Sequence, residues 1–417
     1  MKIAIIGAGI AGNTIAWHLY KNHKITVYEA NEHVGGHTQT HEVEAFGQKY
    51  HIDTGFIVYN NWTYPNFIRM LDELGIETQS SHMSFSVRNE ASGLEYNGTS
   101  LNSLFAQRSN LFRPKFLWMI KEILRFNKEA PRVLNSTNDD MLFGEYLKKH
   151  RYSQSFVNEY IIPMGSAIWS AEPNQLFEFP AKFFIRFFHN HGMLSVTDRP
   201  EWRVIKGGSK EYVNKLTEGF KDRILVNTPV EKVTRKPKTV LVKAKREKEE
   251  EFDWVFFACH SDQVLEILSD ASNDEKEILG SIPYQTNRIV LHTDISLMPK
   301  RKLAWAAWNY HLTSRPLNQA AVTYNMNILQ SLFSPEPFLV TLNHTDGINP
   351  NKIIKTLNYS HPVFNVKGID AQSKHAKISG LNRTSYAGAY WRNGFHEDGV
   401  VSALTAIQQF EFAQMNT

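Results

Sequence analysis

The chain has 417 residues, which at roughly 100–200 residues per domain allows two or three domains. It is 42% hydrophobic, 12% aromatic and 21% charged, so a disordered or collagen-like chain is excluded. Lys+Arg 46 against Asp+Glu 42 leaves a formal +4, too slight for a dedicated nucleic-acid binder, and one cysteine, Cys259, excludes a disulfide framework or a Cys-rich metal site.

From the N-terminus, Lys2–Ile6 is a short apolar run with the character of a buried parallel strand. Its apolar start runs directly into a glycine-rich turn and meets no cleavage site, so it does not read as a signal peptide. The turn is GAGIAG, with Gly7, Gly9 and Gly12 in GxGxxG spacing around Ile10 and Ala11. Ala11, Ile15 and Leu19 then recur every four residues, as on the buried face of a helix. Ile25–Tyr28 reads as a second strand ending at Glu29 and Ala30.

Each part of this unit has a physical role. Gly7 permits the tight turn, Gly9 lets backbone approach a pyrophosphate, and Gly12 lets the helix pack closely on the strand. The helix N-terminus offers N–H groups and partial positive charge to phosphates. Glu29 is placed to accept hydrogen bonds from a ribose diol, and its charge would repel a 2′-phosphate. The unit therefore predicts FAD or NAD in preference to NADP.

Two further glycine segments follow, EHVGGHTQT with Gly35, Gly36 and His37, and HIDTGFIVYN with Asp53, Thr54, Gly55 and Phe56. Residues 80–200 read as helical and aromatic. Phe112, Phe116, Met119, Ile123 and Phe126 fall at three- and four-residue steps among Lys and Arg, and Phe183, Phe184, Phe187 and Phe188 form a second cluster. One reading is core packing behind a solvated charged face; the other is a surface that docks on an anionic membrane. Trp202–Ile205, a Gly207–Gly208 turn and a helical segment come next. Ile224–Arg235 and Thr239–Lys245 read as a hairpin across Pro237, and Phe252–Ala258 as a strand leading into a helix over Asp262–Leu268. Trp305, Trp308 and Tyr310, with the runs Gln319–Tyr324 and Phe338–Leu342, read as strands roofing a pocket. Near the C-terminus, SYAGAYWRNGFHEDGVVSALTAI places a strand before Gly388, a polar loop reaching Gly399, and a helix from Val400. That helix could aim its N-terminal dipole at a second anionic part of a cofactor.

These motifs resemble the flavin-containing amine oxidase superfamily, which includes amine oxidases, protoporphyrinogen oxidase and phytoene-type desaturases. The narrower resemblance is to a bacterial NAD/FAD-binding branch that carries GFHEDG-like C-terminal segments. It covers both ends and the middle of the chain and covers the substrate region poorly. It implies an α/β fold: a Rossmann-like FAD-binding domain of the glutathione-reductase-2 type with an inserted α+β substrate domain. The implied FAD domain is discontinuous (1–80, 200–270 and 381–417), with 81–199 and 271–380 as the substrate domain. Gly7, Gly9, Ile10, Ala11, Gly12, Glu29 and Ala30 would hold the ADP half. Gly35, Gly36 and His37 would lie along the pyrophosphate and flavin, with Thr54, Gly55 and Phe56 beside the ring. Val230 matches a valine whose backbone contacts adenine, and Gly388, Gly399 and Val400 match the C-terminal flavin-binding segment. The family usually has Arg where this chain has His37, which puts that phosphate contact in doubt and leaves covalent flavin attachment as a competing role.

Other chemistries lack their motifs. Seventeen histidines include His37 and His41, read as sharing a strand face, but no HExxH or third ligand at a recognisable spacing. There is no GxSxG elbow and no GxxxxGK[ST] loop. Cys259 ends an apolar run and reads first as a packing residue, with a flavin tether as the alternative. No second GxGxxG follows a strand, so the substrate itself should reduce the flavin.

The expected function is an FAD-dependent oxidoreductase of the amine-oxidase type, taking hydride from a small or apolar substrate to flavin N5. The alternatives are desaturation of a lipid or isoprenoid chain at a membrane surface and, from another class, a non-redox flavoprotein such as a mutase. His396 reads equally as a base or as a helix cap. Trp308, Tyr390, Trp391 and Phe395 are the substrate-facing candidates, against packing roles for the tryptophans. The FAD is expected to be non-covalent, with no metal and no nucleic acid. The expected setting is cytoplasmic, with peripheral contact at the inner face of a membrane as the further option.

Overall fold

The computed structural model describes residues 1–135, 141–314, 317 and 319–416. Strands β1 (Lys2–Ile6), β2 (Lys24–Tyr28), β3 (Ile224–Leu225), β4 (Trp254–Phe257) and β5 (Thr384–Tyr386) form one parallel sheet in the order β3-β2-β1-β4-β5. Helices α1 (Ile10–Leu19), α2 (Pro114–Glu129) and α3 (His396–Met415) carry most of the features that concern function.

Alternation along β1 decides what covers each face of this sheet. Ile3 and Ile5 turn to one side, where they pack with Ala11 and Ile15 of α1 and Ala403 and Phe410 of α3. Ala4 and Ile6 turn to the other, against Val233, Val240 and Val242 of the three-stranded meander 230–252. The expected hairpin over Ile224–Lys245 is divided between these two layers. Ile224–Leu225 joins the parallel sheet, and pairing with Lys243 resumes only in Val230–Arg235. The reason lies in the intervening backbone: Asn227 N–H donates to Asn31 O (2.9 Å) and Thr228 N–H to Glu29 O (2.8 Å).

A second, seven-stranded sheet runs in the order 353–362, 284–292, 339–342, 322–325, 308–312, 85–89, 94–97, antiparallel except between 308–312 and 85–89. It shares the largest core with the helices of residues 114–190. Phe116, Met119 and Phe126 of α2 and Phe184, Phe187 and Phe188 are buried in that core, so the regularly spaced stripe of α2 has the packing role.

Candidate cofactor site

The turn after β1 is forced by its neighbours. Gly7 has φ +105°, and a Cβ there would meet Ala258 O at 2.7 Å; a Cβ on Gly12 would stand 1.9 Å from Gly7 O. The first turn of α1 therefore lies directly beside the C-terminal end of β4, the crevice in which open parallel sheets bind ligands. Its N–H groups have no partners within the helix, as at any helix start. Glu29, at the end of β2, is buried and fixed from both sides. It accepts Ala8 N–H at 2.8 Å through one oxygen, and Asn31 N–H and Nδ2–H at 2.9 Å through the other. Ala30 is exposed beside it.

The second glycine segment closes over the first. Gly35 N–H donates to Ala8 O (2.8 Å), and Gly36, at φ +60°, would carry a Cβ only 2.9 Å from Gly9 Cα. The third packs on the second, since a Cβ on Gly55 would meet His37 O at 2.0 Å, and Phe56 N–H donates to the same oxygen at 2.9 Å. Thr54 Oγ pairs with Tyr359 OH (2.8 Å) and with His41 Nε2 (3.0 Å). His41 lies in the strand Thr40–Ala45, whereas His37 precedes that strand, so the two do not share a face.

The C-terminal segment joins this group by a route the sequence reading did not anticipate. The helix begins at His396, four residues before Val400, because Phe395 N–H donates to Asp398 Oδ2 (2.9 Å) and starts the turn there. Gly399 and Val400 thus lie inside the first turns of α3, and a Cβ on Gly399 would meet Ile10 Cγ2 at 2.6 Å. Gly388 N–H donates to Ser402 Oγ (2.9 Å), and Glu397 accepts Phe67 N–H (2.8 Å). Val230 opens the meander three residues after Asn227, beside the Glu29 end of β2.

The candidate substrate residues do not converge. His396 opens α3 and is not its cap; it is buried, stacked on Phe56 at 3.6 Å, and its Nε2 pairs with Thr38 Oγ (3.0 Å) and Tyr212 OH (2.9 Å). Burial holds its pKa well below the ordinary histidine value. Trp308 meets Tyr324 edge-on within the second sheet, and Phe395 stacks on Phe187. Tyr390 and Trp391 pack in the core beneath the meander.

His37 does converge with other residues, His260 and His361, which the sequence did not single out. His37, His260 and His361 lie together, with ring centroids 6.2 Å apart for His37–His260 and 5.3 Å for His37–His361. Desolvation, then the neighbouring imidazoles, lowers the His37 pKa to about 3; desolvation and His260 lower that of His361 to about 4. The cluster is neutral, so His37 does not supply the charge of the arginine it replaces. Its Nε2 is buried without a protein partner. Cys259, which precedes His260 in the chain, is a thiol whose pKa burial pushes up to about 12, which disfavours the thiolate. Among the described residues no group of three or more His, Cys, Asp or Glu is arranged to hold a metal ion.

Two adjoining pockets lie beside this cluster, one of them lined by His361. The outer, of about 390 Å³, is lined by Glu172, Glu178 and Tyr284 among others. It shares Gln285, Val363 and Phe364 with a closed inner pocket, without room for a water molecule, lined also by Trp169, Phe179 and His361. Tyr284 stacks on His260 at 4.3 Å, and Asn287 Nδ2 is 3.1 Å from His361 Nδ1.

Three interlocked glycine turns, a helix N-terminus and a fixed carboxylate at the end of β2 form a cradle that fits the ADP and pyrophosphate of a dinucleotide, and β-carbons would fill it. Such a cradle, joined to a separate sheet-and-helix layer, defines a two-part dinucleotide-dependent flavoprotein. The chain belongs to the flavin containing amine oxidoreductase family, whose profile matches residues 10–301. It is an FAD-dependent oxidoreductase. No curated protein matches it in sequence. Among solved structures it is similar to cyclohexylamine oxidase from Brevibacterium oxydans IH-35A (15% identity, 99% of each chain, TM-score 0.70). Wild-type putrescine oxidase bound to putrescine (15%, 99% of each chain, 0.67) and a CLA-producing fatty acid isomerase from P. acnes (16%, 98% of each chain, 0.67) share the fold as well. At these identities the likeness concerns the fold alone.

Proposed function

We propose that the protein oxidises a small organic molecule that enters past Glu172 and Glu178 and reacts beside His37 and His361. The observation that carries this reading is that His361 lines the inner pocket, which is closed in this structure, and its ring is 5.3 Å from that of His37 in the cofactor crevice. On this reading Gly7, Gly9, Ile10, Ala11, Gly12 and Gly36 receive the pyrophosphate, Glu29 and Ala30 the ribose, and Val230 the adenine. Thr54, Gly55 and Phe56 border the ring, and Gly388, Gly399 and Val400 approach it from α3. The division of the chain proposed with it is a cofactor domain of 1–80, 200–270 and 381–417 around a substrate domain of 81–199 and 271–380.

FAD, when bound, supplies the hydride acceptor. The residues of this chain position the substrate and exclude water. Trp169, Phe179 and Phe364 make the inner pocket apolar, which excludes water from the reacting bond. Neutral His361 accepts Asn287 Nδ2–H at Nδ1, so its other ring nitrogen carries the hydrogen and can donate a hydrogen bond to substrate. Glu172 and Glu178 at the mouth favour a cationic substrate such as an amine. The aromatic lining favours a second reading, oxidation of an apolar chain.

Anaerobic mixing of the FAD-loaded protein with putrescine, cyclohexylamine and a free fatty acid distinguishes these. Bleaching of the visible flavin band by an amine is the expected result; bleaching by the fatty acid alone supports the second reading. A protein that turns over only after prior reduction, with no net electron transfer, is a mutase and contradicts both.

A further inference from the structure

We infer that the segment from Leu101 through α2 docks on an anionic phospholipid surface. Phe116, Met119 and Phe126 take the inner face of α2, and the side chains between them point outward: Leu117, Trp118, Lys121 and Leu124 are all exposed. Phe112, just before the helix, is 86% exposed, and Trp118 is 51% exposed. Six of the exposed large apolar side chains of the described residues fall within 101–124, whereas the others are scattered singly or in neighbouring pairs. Isolated exposed apolar residues are ordinary; a run of them on one short segment marks a contact surface.

The charge of the segment selects the occupant. From Leu101 through Glu129 there are six Lys or Arg and two carboxylates, Glu122 and Glu129. Glu122 is buried, receiving Ser153 N–H at 3.0 Å, and Glu129 is half-buried at the helix end, whereas Arg108, Lys115, Lys121 and Lys128 are exposed, so the outward charge is predominantly cationic. Lys121 Nζ lies 4.6 Å from the centre of the Trp118 ring, an arrangement that keeps an ammonium at the edge of an apolar patch. Trp, Phe and Leu flanked by Lys and Arg suit the boundary between acyl chains and anionic headgroups. A symmetric pair of copies meeting through this face would oppose Arg108, Lys115 and Lys121 to their own equivalents, with no exposed carboxylate in the segment to offset them. No helix among the described residues is long and apolar enough to cross a membrane, so the contact is peripheral. It does not depend on which molecule the flavin oxidises.

Sedimentation of the full-length, FAD-loaded protein with vesicles tests this. Equal parts phosphatidylglycerol and phosphatidylcholine should carry down at least about tenfold more protein than phosphatidylcholine alone, and high salt should release it. Phe112→Ser/Trp118→Ser should lose that partition about tenfold or more while keeping the melting temperature and flavin content, because neither side chain belongs to a core. The proposal is overturned if the protein stays in the supernatant with both vesicle types, or binds both equally. It is overturned as well if the double variant partitions like the parent, or if light scattering finds a dimer that the variant splits while vesicles remain unbound.

Discussion

Gly399 abuts Ile10: a β-carbon on the glycine would stand 2.6 Å from Ile10 Cγ2, so the start of α3 rests on the start of α1. The sequence ends of the fold meet where both helix N-termini approach one crevice. The glycine is needed for that distance even though it lies inside a helix, where alanine would ordinarily be preferred by about 1 kcal/mol.

Gly399→Ala should therefore lower stability and flavin content, against the helix propensity of alanine. The crowding should cost about 1–3 kcal/mol. Adding Ile10→Ala should restore part of the loss, because the obstructing atom is the end of one side chain. Thermal melts and flavin content of the two single variants and the double variant check this coupling.

Gly36→Ala should be harder to relieve. The residue sits at φ +60°, and its new Cβ would meet backbone, Gly9 Cα, at 2.9 Å. The expected cost is about 1–3 kcal/mol, with loss of FAD retention measured by equilibrium dialysis. No neighbouring side-chain substitution should rescue it.

The legible parts of this protein were those with local physical causes. The strand, glycine turn, helix and terminal acid of residues 2–29 can be read because each residue type answers a requirement within a few positions of itself. Gly399 and Gly388 were legible as special positions, but the start of α3 was not, since it depends on Phe395 N–H finding Asp398. His361 was missed for a different reason. It belongs to the strand 353–362, lies more than three hundred residues from His37, and meets it only through tertiary packing. Asp53 was noticed for its neighbour Gly55, yet its own partners, Ser209 N–H (2.9 Å), Thr40 Oγ (2.5 Å) and Gln330 Nε2 (3.0 Å), come from three separated segments. Alternation and periodicity carry no information about such meetings.

Glu275→Ala should be among the most destabilising single changes outside the site. Glu275 accepts two hydrogen bonds from Arg235 (2.6 and 2.9 Å) and one from Tyr386 OH (2.5 Å), and both charged side chains are largely buried. Its removal leaves the buried Arg235 guanidinium with one carboxylate in place of two, Asp270 at 3.0 Å, and Tyr386 OH without its acceptor, at a cost of about 3 kcal/mol. Chemical denaturation of the variant should show a lower midpoint with an unchanged slope.

Stability should fall as pH drops from 6.5 towards 4. His37, His191, His361 and His396 are buried and held below the ordinary histidine pKa of 6.5, chiefly by desolvation, the first three to about 3, about 4 and about 4. A folded-state pKa below the unfolded one gives stability that is complete above 6.5 and lost as pH falls through the folded values. Asp53 and Asp398, raised by burial from 3.8 to about 6, act in the opposite sense, since their contribution is complete below 3.8 and lost as pH rises through 6. Four imidazoles outweigh two carboxyls, so unfolding near pH 5.5 should take up protons, each worth about 1.4 kcal/mol per pH unit. Melting temperature against pH measures the sign directly.

The flavin content of the purified protein and its Glu29→Ala variant is the most direct measurement of all. One FAD per chain, released into the supernatant by acid precipitation and retained at least about tenfold more weakly by the variant, is the predicted result. Full and unchanged occupancy in the variant would contradict the role given to Glu29, and a native protein that binds no FAD at all would contradict the cradle itself.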